Sequence, residues 1–268
     1  MGLRPQATLS GPLNSETLWP VLVLAGVGAG LTGSVAGLAS VVSFPALIAF
    51  GLPPVTANVT NTVALFGVTG GTIAGSPREL RGQGGRVLRL VAVSVVGGAA
   101  GAALLLMTPA EAFEAAVPWL LGFGSVLLLA RDRVRAWVVA RSGSRAGING
   151  AHRKLMWGLV VLALGVYGGY FGAGVGIIAL AAMALERTEP LSVTNAVKNV
   201  ATGAANGTAA IAYTVFAPVD WTAALALGAG AVLGGLTGPA IVRVAPEKPL
   251  RWLVGSAGLL LALWLATG

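Results

Sequence analysis

Apolar runs dominate the chain from residue 18 onward, and they leave few folds open. Eight can be drawn: Leu18–Phe50, Val55–Gly75, Val87–Met107, Phe113–Ala130, Leu155–Leu185, Leu191–Phe216, Trp221–Val242 and Trp252–Ala266. A helix needs about 20 apolar residues to cross the hydrocarbon core of a bilayer. Only 10% of the 268 residues are charged, against about 25% in a soluble domain, which leaves too little polar surface for a water-soluble globule. That excludes a soluble enzyme and a disordered chain, and the absence of Cys excludes a disulfide scaffold. Gly, at 40 residues, is about twice its usual frequency and suits close helix packing in lipid. These numbers predict an all-α polytopic membrane protein whose main partner is the lipid bilayer.

Two of the runs are too long for one crossing. Leu18–Phe50 has 33 residues and Leu155–Leu185 has 31, roughly 45–50 Å of helix against a core of about 30 Å. Both are crowded with Gly in the middle: Gly26, Gly28, Gly30, Gly33 and Gly37 in the first, Gly165, Gly168, Gly169, Gly172, Gly174 and Gly176 in the second. Each Gly disfavours continuous helix by about 1 kcal/mol relative to Ala. Each run therefore reads as two helical pieces with a break between them.

The halves match in detail. Ala57-Asn58-Val59-Thr60-Asn61 opens the second run, and Asn195-Ala196-Val197-Lys198-Asn199 opens the sixth. Asn61 and Asn199 are 138 residues apart, and each follows a Gly-broken run. The pattern predicts an internal duplication, which secondary transporters commonly carry. The implied organisation is an N-terminal tail (1–17), a first transmembrane repeat (18–130), a basic linker (131–154) and a second repeat (155–268).

Loop charge orients the repeats. The net charge is +8. Residues 76–89, 131–154 and 243–251 hold 14 of the 17 basic residues, so all three stretches are expected in the cytoplasm. No basic stretch is interleaved with aromatics, so nucleic acid is not an expected partner. Met1 to Glu16 lacks the short apolar region and cleavage site of a removable signal peptide. Eight full crossings would put 131–154 and 243–251 on opposite faces. The conflict disappears if both Gly-broken runs are re-entrant. The expected topology is then two inverted repeats with the N-terminus outside, six full crossings and two broken hairpins.

Several chemistries are set aside. Gly28-Ala29-Gly30-Leu31-Thr32-Gly33 spells a dinucleotide fingerprint, but no Asp or Glu occurs between Glu16 and Glu79, and the acid about 20 residues on is missing. Helix packing explains it better, because GxxxG spacings recur at Gly26/Gly30, Gly33/Gly37, Gly168/Gly172, Gly172/Gly176, Gly230/Gly234 and Gly234/Gly238. The single His152 lies in the basic linker, and there is no Cys, so neither a metal nor a cofactor is expected. No run holds His, Asp or Glu in its interior, so a Ser nucleophile would lack a base and no enzyme is expected.

Lys198 is the one charge well inside an apolar run. Ionisable groups at membrane depth are costly and mark functional sites, although a snorkelling Lys has the same appearance. Asn195, Asn199, Thr202 and Asn206 lie at i, i+4, i+7 and i+11, a single polar stripe bordered by Lys198. In the first half, Thr60 holds the Lys position beside Asn61, with Asn58 and Thr62 nearby. Cavity lining and hydrogen bonding between helices both remain open for Asn58 and Thr62. The breaks complete the candidate site: Gly37, Ser40 and Ser43 at the first, and Gly172, Gly174 and Gly176 at the second. Half-helix N-termini present free N–H groups and a positive dipole end. With one Lys and no buried carboxylate, the expected substrate is a small anion.

These motifs are where the chain resembles the sulfite exporter TauE/SafE family of membrane transporters. The first-half match runs through Ser43-Phe44-Pro45-Ala46-Leu47, Gly51-Leu52-Pro53-Pro54 and Ala57–Asn61; the second runs through Gly169–Ile177, Asn195–Asn199 and Val219-Asp220-Trp221. A departure falls at Ala36-Gly37-Leu38-Ala39, where relatives tend to have a longer Gly run. The resemblance implies transport of sulfite or an organosulfonate, such as sulfoacetate, across the inner (plasma) membrane, most naturally as export. The sequence leaves open a passive anion channel, a non-transporting membrane scaffold and homo-oligomerisation.

Overall fold

The computed structural model describes residues 15–36, 39–74, 76–141, 150–187, 189–241 and 247–267. Among them every regular element is an α-helix. The order is α1 (Ser15–Ala36), α2 (Ala39–Ala49), α3 (Pro54–Ala74), α4 (Gly84–Met107), α5 (Ala110–Leu129), α6 (Arg131–Arg141), α7 (Gly150–Tyr170), α8 (Val175–Glu186), α9 (Leu191–Phe216), α10 (Trp221–Ile241) and α11 (Glu247–Thr267). α4 and α5 are each long and apolar enough to cross a membrane unaided. The expected linker is part helix, since α6 follows α5 directly and packs on α8.

Both over-long runs are interrupted, the second within its Gly cluster and the first only after α1 has run unbroken through Gly26, Gly28, Gly30 and Gly33. α1 stops at Ala36 and α2 starts at Ala39; α7 stops at Tyr170 and α8 starts at Val175. Each second piece folds back along the first. A Cβ on Gly33 would sit 2.9 Å from the Ala39 Cβ, and one on Gly28 would sit 3.5 Å from Val42. In the second hairpin Gly168 faces Val175, while Val161 and Met183 share one core cluster. The arms are unequal. α1 and α7 have 22 and 21 residues, whereas α2 and α8 have 11 and 12, so each hairpin joins a helix of membrane length to one of about half that.

Gly lets the halves interlock. α1 runs along α10, and α7 along α4. A Cβ on Gly30 would fall 2.2 Å from Ala231 O, and one on Gly234 would fall 2.1 Å from Val27 O. At the other crossing a Cβ on Gly101 would fall 2.2 Å from Val166 O, and one on Gly169 2.4 Å from Gly98 O. Backbones this close exclude any side chain, the packing that small residues permit between helices in lipid. α3 packs on α10, α9 on α4, α3 on α9 and α5 on α11. The largest core cluster centres on Phe44, Phe113, Phe171 and Tyr213, all buried. Phe44 and Phe171 meet edge to face with ring centroids 5.1 Å apart, a favoured aromatic geometry.

Two polar ties join helix ends from different halves. Arg86, at the start of α4, reaches Glu189 at 2.7 Å and Glu186 at 3.2 Å, and the Thr194 hydroxyl donates to the same Glu189 oxygen at 3.1 Å. On α3, the Thr60 hydroxyl oxygen accepts the Asp220 N–H at 3.0 Å. The Asp220 carboxylate in turn accepts the Ala223 N–H at 2.9 Å, capping α10.

Candidate functional site

The two breaks meet in one cleft. Gly33, Ala39 and Ser40 form one wall, and Gly172, Val175 and Gly176 form another. Between them α9 contributes Asn199, Thr202, Gly203 and Asn206, while α3 contributes Leu65, Val68, Thr69 and Thr72. The space is about 530 Å³ including its open mouth. Its polar lining side chains are neutral hydroxyls and carboxamides.

Positive φ angles at Gly172 and Gly174, +79° and +77°, turn the chain at the second break. A residue with a Cβ would be strained there by roughly 1–2 kcal/mol. A helix end leaves carbonyls without intrahelical donors, and side chains from the two central helices supply them. The Tyr213 hydroxyl, from α9, donates to Gly169 O. Asn58 Nδ2, from α3, donates to Tyr170 O at 2.8 Å. The Tyr167 hydroxyl donates to Ala173 O at 2.6 Å, bracing the turn from within.

The start of α8 offers a donor to the cleft. The Val175 N–H bonds Gly172 O at 3.1 Å, and the Ile177 and Ile178 N–H groups bond Gly174 O at 3.0 and 3.5 Å. The Gly176 N–H finds no acceptor among the described residues, and Gly176 lines the cleft without a side chain to cover it. An unused N–H at the positive end of a helix suits an anion.

A family model described as Sulfite exporter TauE/SafE matches residues 22–265. The chain belongs to the sulfite exporter TauE/SafE family. No curated protein and no solved structure matched it. TauE/SafE proteins are membrane transporters rather than enzymes, and the apolar helices of this member fit that setting.

Against this TauE/SafE fold, the residues expected from the sequence fall into two groups. Ser40, Gly172, Gly176, Asn199, Thr202 and Asn206 line the cleft. Ser43, Asn58, Thr60 and Asn61 are buried between helices. The Ser43 hydroxyl donates to Asn61 Oδ1, and Asn58 keeps a buried Oδ1 with no hydrogen-bond partner among the described residues. Gly174 faces α5, where a Cβ would lie 3.1 Å from Gly124 Cα. Asn195 is half-buried and Lys198 fully buried, and neither is among the cleft-lining residues. Lys198 touches the site indirectly, because its carbonyl accepts the Thr202 hydroxyl at 2.9 Å. Gly37 lies outside the described residues.

Thr69 and Thr72 line the cleft without having stood out in the sequence. At the 138-residue offset the α9 residues Asn199, Thr202 and Asn206 correspond to Asn61, Ala64 and Val68, while Thr69 and Thr72 correspond to Gly207 and Ala210. The α9 stripe therefore gave no sign of either threonine. Tyr167 and Tyr213 were also missed, since nothing local marks a tyrosine that caps a distant helix.

Proposed function

We propose that this chain is a secondary transporter that exports a small sulfur-containing anion, sulfite or a short organosulfonate, across the inner (plasma) membrane. One observation carries the reading: both breaks, the α9 stripe and the unused Gly176 N–H converge on a single cleft. Bonds from neutral donors to a charged acceptor contribute about 1.5–3 kcal/mol each. Lys198 stands behind Thr202 and adds positive potential without touching the substrate. Among the described residues the cleft lining holds no carboxylate to repel an anion.

The repeats are read as inverted, with both hairpins re-entrant. Arg86 belongs to the basic stretch 76–89 and pairs with Glu186 and Glu189, so the end of α8 shares the cytoplasmic face of that stretch. A hairpin that crossed the membrane fully would leave those acids on the opposite face. The Thr60 bond to Asp220 likewise joins the start of α3 to the start of α10 on one face. The packing exchanges under the duplication as well: α1 on α10 answers to α7 on α4, and α3 on α10 to α9 on α4. Rocking of such repeats about a shared site gives alternating access.

The test is counterflow of radiolabelled sulfite into proteoliposomes preloaded with sulfite. Saturable counterflow is expected, with flux lost in Gly176→Leu at unchanged membrane insertion. Linear flux without counterflow would indicate a channel, and no flux of sulfite or organosulfonates would remove the proposed substrate. Topology is tested separately. Cysteines introduced as Arg81→Cys, Arg145→Cys and Lys248→Cys should resist an impermeant thiol reagent applied outside. Strong external labelling at 248 alone would restore eight full crossings.

A further inference from the structure

We infer that Asn61 is a substrate ligand of the opposite-facing state, kept out of the cleft in this state by Ser43. The inference rests on the inverted-repeat reading proposed above. Under the 138-residue offset, Asn199, Thr202, Gly203 and Asn206 of α9 correspond to Asn61, Ala64, Leu65 and Val68 of α3. A cleft centred on the repeat axis would use matching residues from both helices. The observed cleft instead uses Leu65, Val68, Thr69 and Thr72, one helical turn further along α3. In inverted repeats α3 and α9 run in opposite directions. The displacement on both helices is therefore toward one face: the C-terminal end of α3, next to the basic stretch 76–89, and the N-terminal end of α9, next to Glu189. That face is the cytoplasmic one.

Two repeats that exchange roles must present the mirror of this cleft when the transporter faces outward. Applying the offset, the mirror cleft takes Asn61 and Ala64 from α3 in place of Thr69 and Thr72, while Leu65, Val68, Gly203 and Asn206 serve both states. Asn61 is the one carboxamide gained, as the mate of Asn199. In the present state it is 1% exposed and accepts the Ser43 hydroxyl from α2. Phe44, the next residue, packs on Phe171 at the second break, and Phe171 on Phe113. That side is thus closed by a hydrogen bond and an aromatic cluster. The mate of Ser43 is Ala181, which has no hydroxyl to draw Asn199 out of the cleft. Opening the outer side requires α2 to leave α3, which breaks the Ser43 bond and frees Asn61 for the anion.

The chain has no Cys, so single cysteines report directly. Asn61→Cys, Ala64→Cys and Asn199→Cys are labelled with an impermeant anionic thiol reagent in intact cells and in inside-out vesicles, with and without methanesulfonate. Position 199 should label from the cytoplasmic side, positions 61 and 64 from outside, and methanesulfonate should slow labelling at 61 and 199 severalfold. Ala64→Cys keeps the test open if Asn61→Cys inserts poorly. Adding Ser43→Ala to Ala64→Cys should raise external labelling severalfold; no change would overturn the role of Ser43. Labelling and protection at 199 with none at 61 and 64 from outside would overturn the inference while leaving the cleft as the substrate site. Failure at 199 as well would sink the proposed site itself, and this inference with it.

Discussion

The two hairpins have the same backbone plan and different fastenings. The first, α1–α2, is tied to α3 by a neutral Ser43–Asn61 bond. The second, α7–α8, is held by the Tyr213, Asn58 and Tyr167 hydrogen bonds at its turn and by Arg86 clamping Glu186 and Glu189 at its far end. Helix α9 carries the buried Lys198 where α3 carries Thr60. The two halves thus share what close packing requires and differ in the side chains that fasten them. The second half became the braced half, and it supplies the cleft with Asn199, Thr202 and Asn206.

The largest expected effect tests what the halves share. Gly30→Leu and Gly169→Leu should both abolish recovery of monodisperse protein, since each new Cβ would meet backbone at 2.2 and 2.4 Å. Overpacking of this kind costs about 1–3 kcal/mol even where the neighbours are side chains that can give. Gly70→Leu, with nothing within 4 Å of its Cβ, is the matched control and should express normally. Tolerance at one crossing but not the other would break the equivalence of the halves.

Next comes the ionic clamp, found at the second hairpin alone among the described residues. The Arg86 side chain is 11% exposed, and those of Glu186 and Glu189 are 23% and 11% exposed, between the surface and buried cases. Arg86→Ala should therefore cost about 2 kcal/mol, seen as a lower Tm in detergent. Adding Glu186→Gln and Glu189→Gln should recover most of the loss, because the harm lies in the unpaired carboxylates. A wild-type Tm in Arg86→Ala would mean that the braced half needs no clamp.

Lys198→Met should weaken anion binding about tenfold through loss of its field alone, with Lys198→Arg closer to wild type. Binding of the Met variant within twofold of wild type would leave the α8 N-terminus and the neutral donors as the whole site. The smallest effect belongs to α3. Thr69→Val keeps the shape and removes one of four hydroxyls lining the cleft, which water or a neighbouring hydroxyl can replace, so affinity should fall about two- to tenfold, less than the full cost of a lost bond to a charged acceptor. A larger loss than at Lys198 would reverse the ranking of the halves.

Much of this fold was legible in local composition. Apolar run length and low charge fixed the membrane class, because lipid accepts little else. Gly density located the second break, but in the first run four of the five Gly lie inside α1, where close packing uses them and overrides helix propensity. The α9 stripe at 199, 202 and 206 was readable from its period alone. Tertiary structure decided which of these polar residues share a space. Ser43 and Asn61 satisfy each other, while Asn199 faces the cleft. Thr69 and Thr72 reach it from a helix about 100 residues away in sequence from the second break. Tyr213 caps a carbonyl 44 residues earlier. A hydrogen bond forms between whichever groups packing brings to within about 3 Å, and for these residues that proximity is set by helices crossing between repeats.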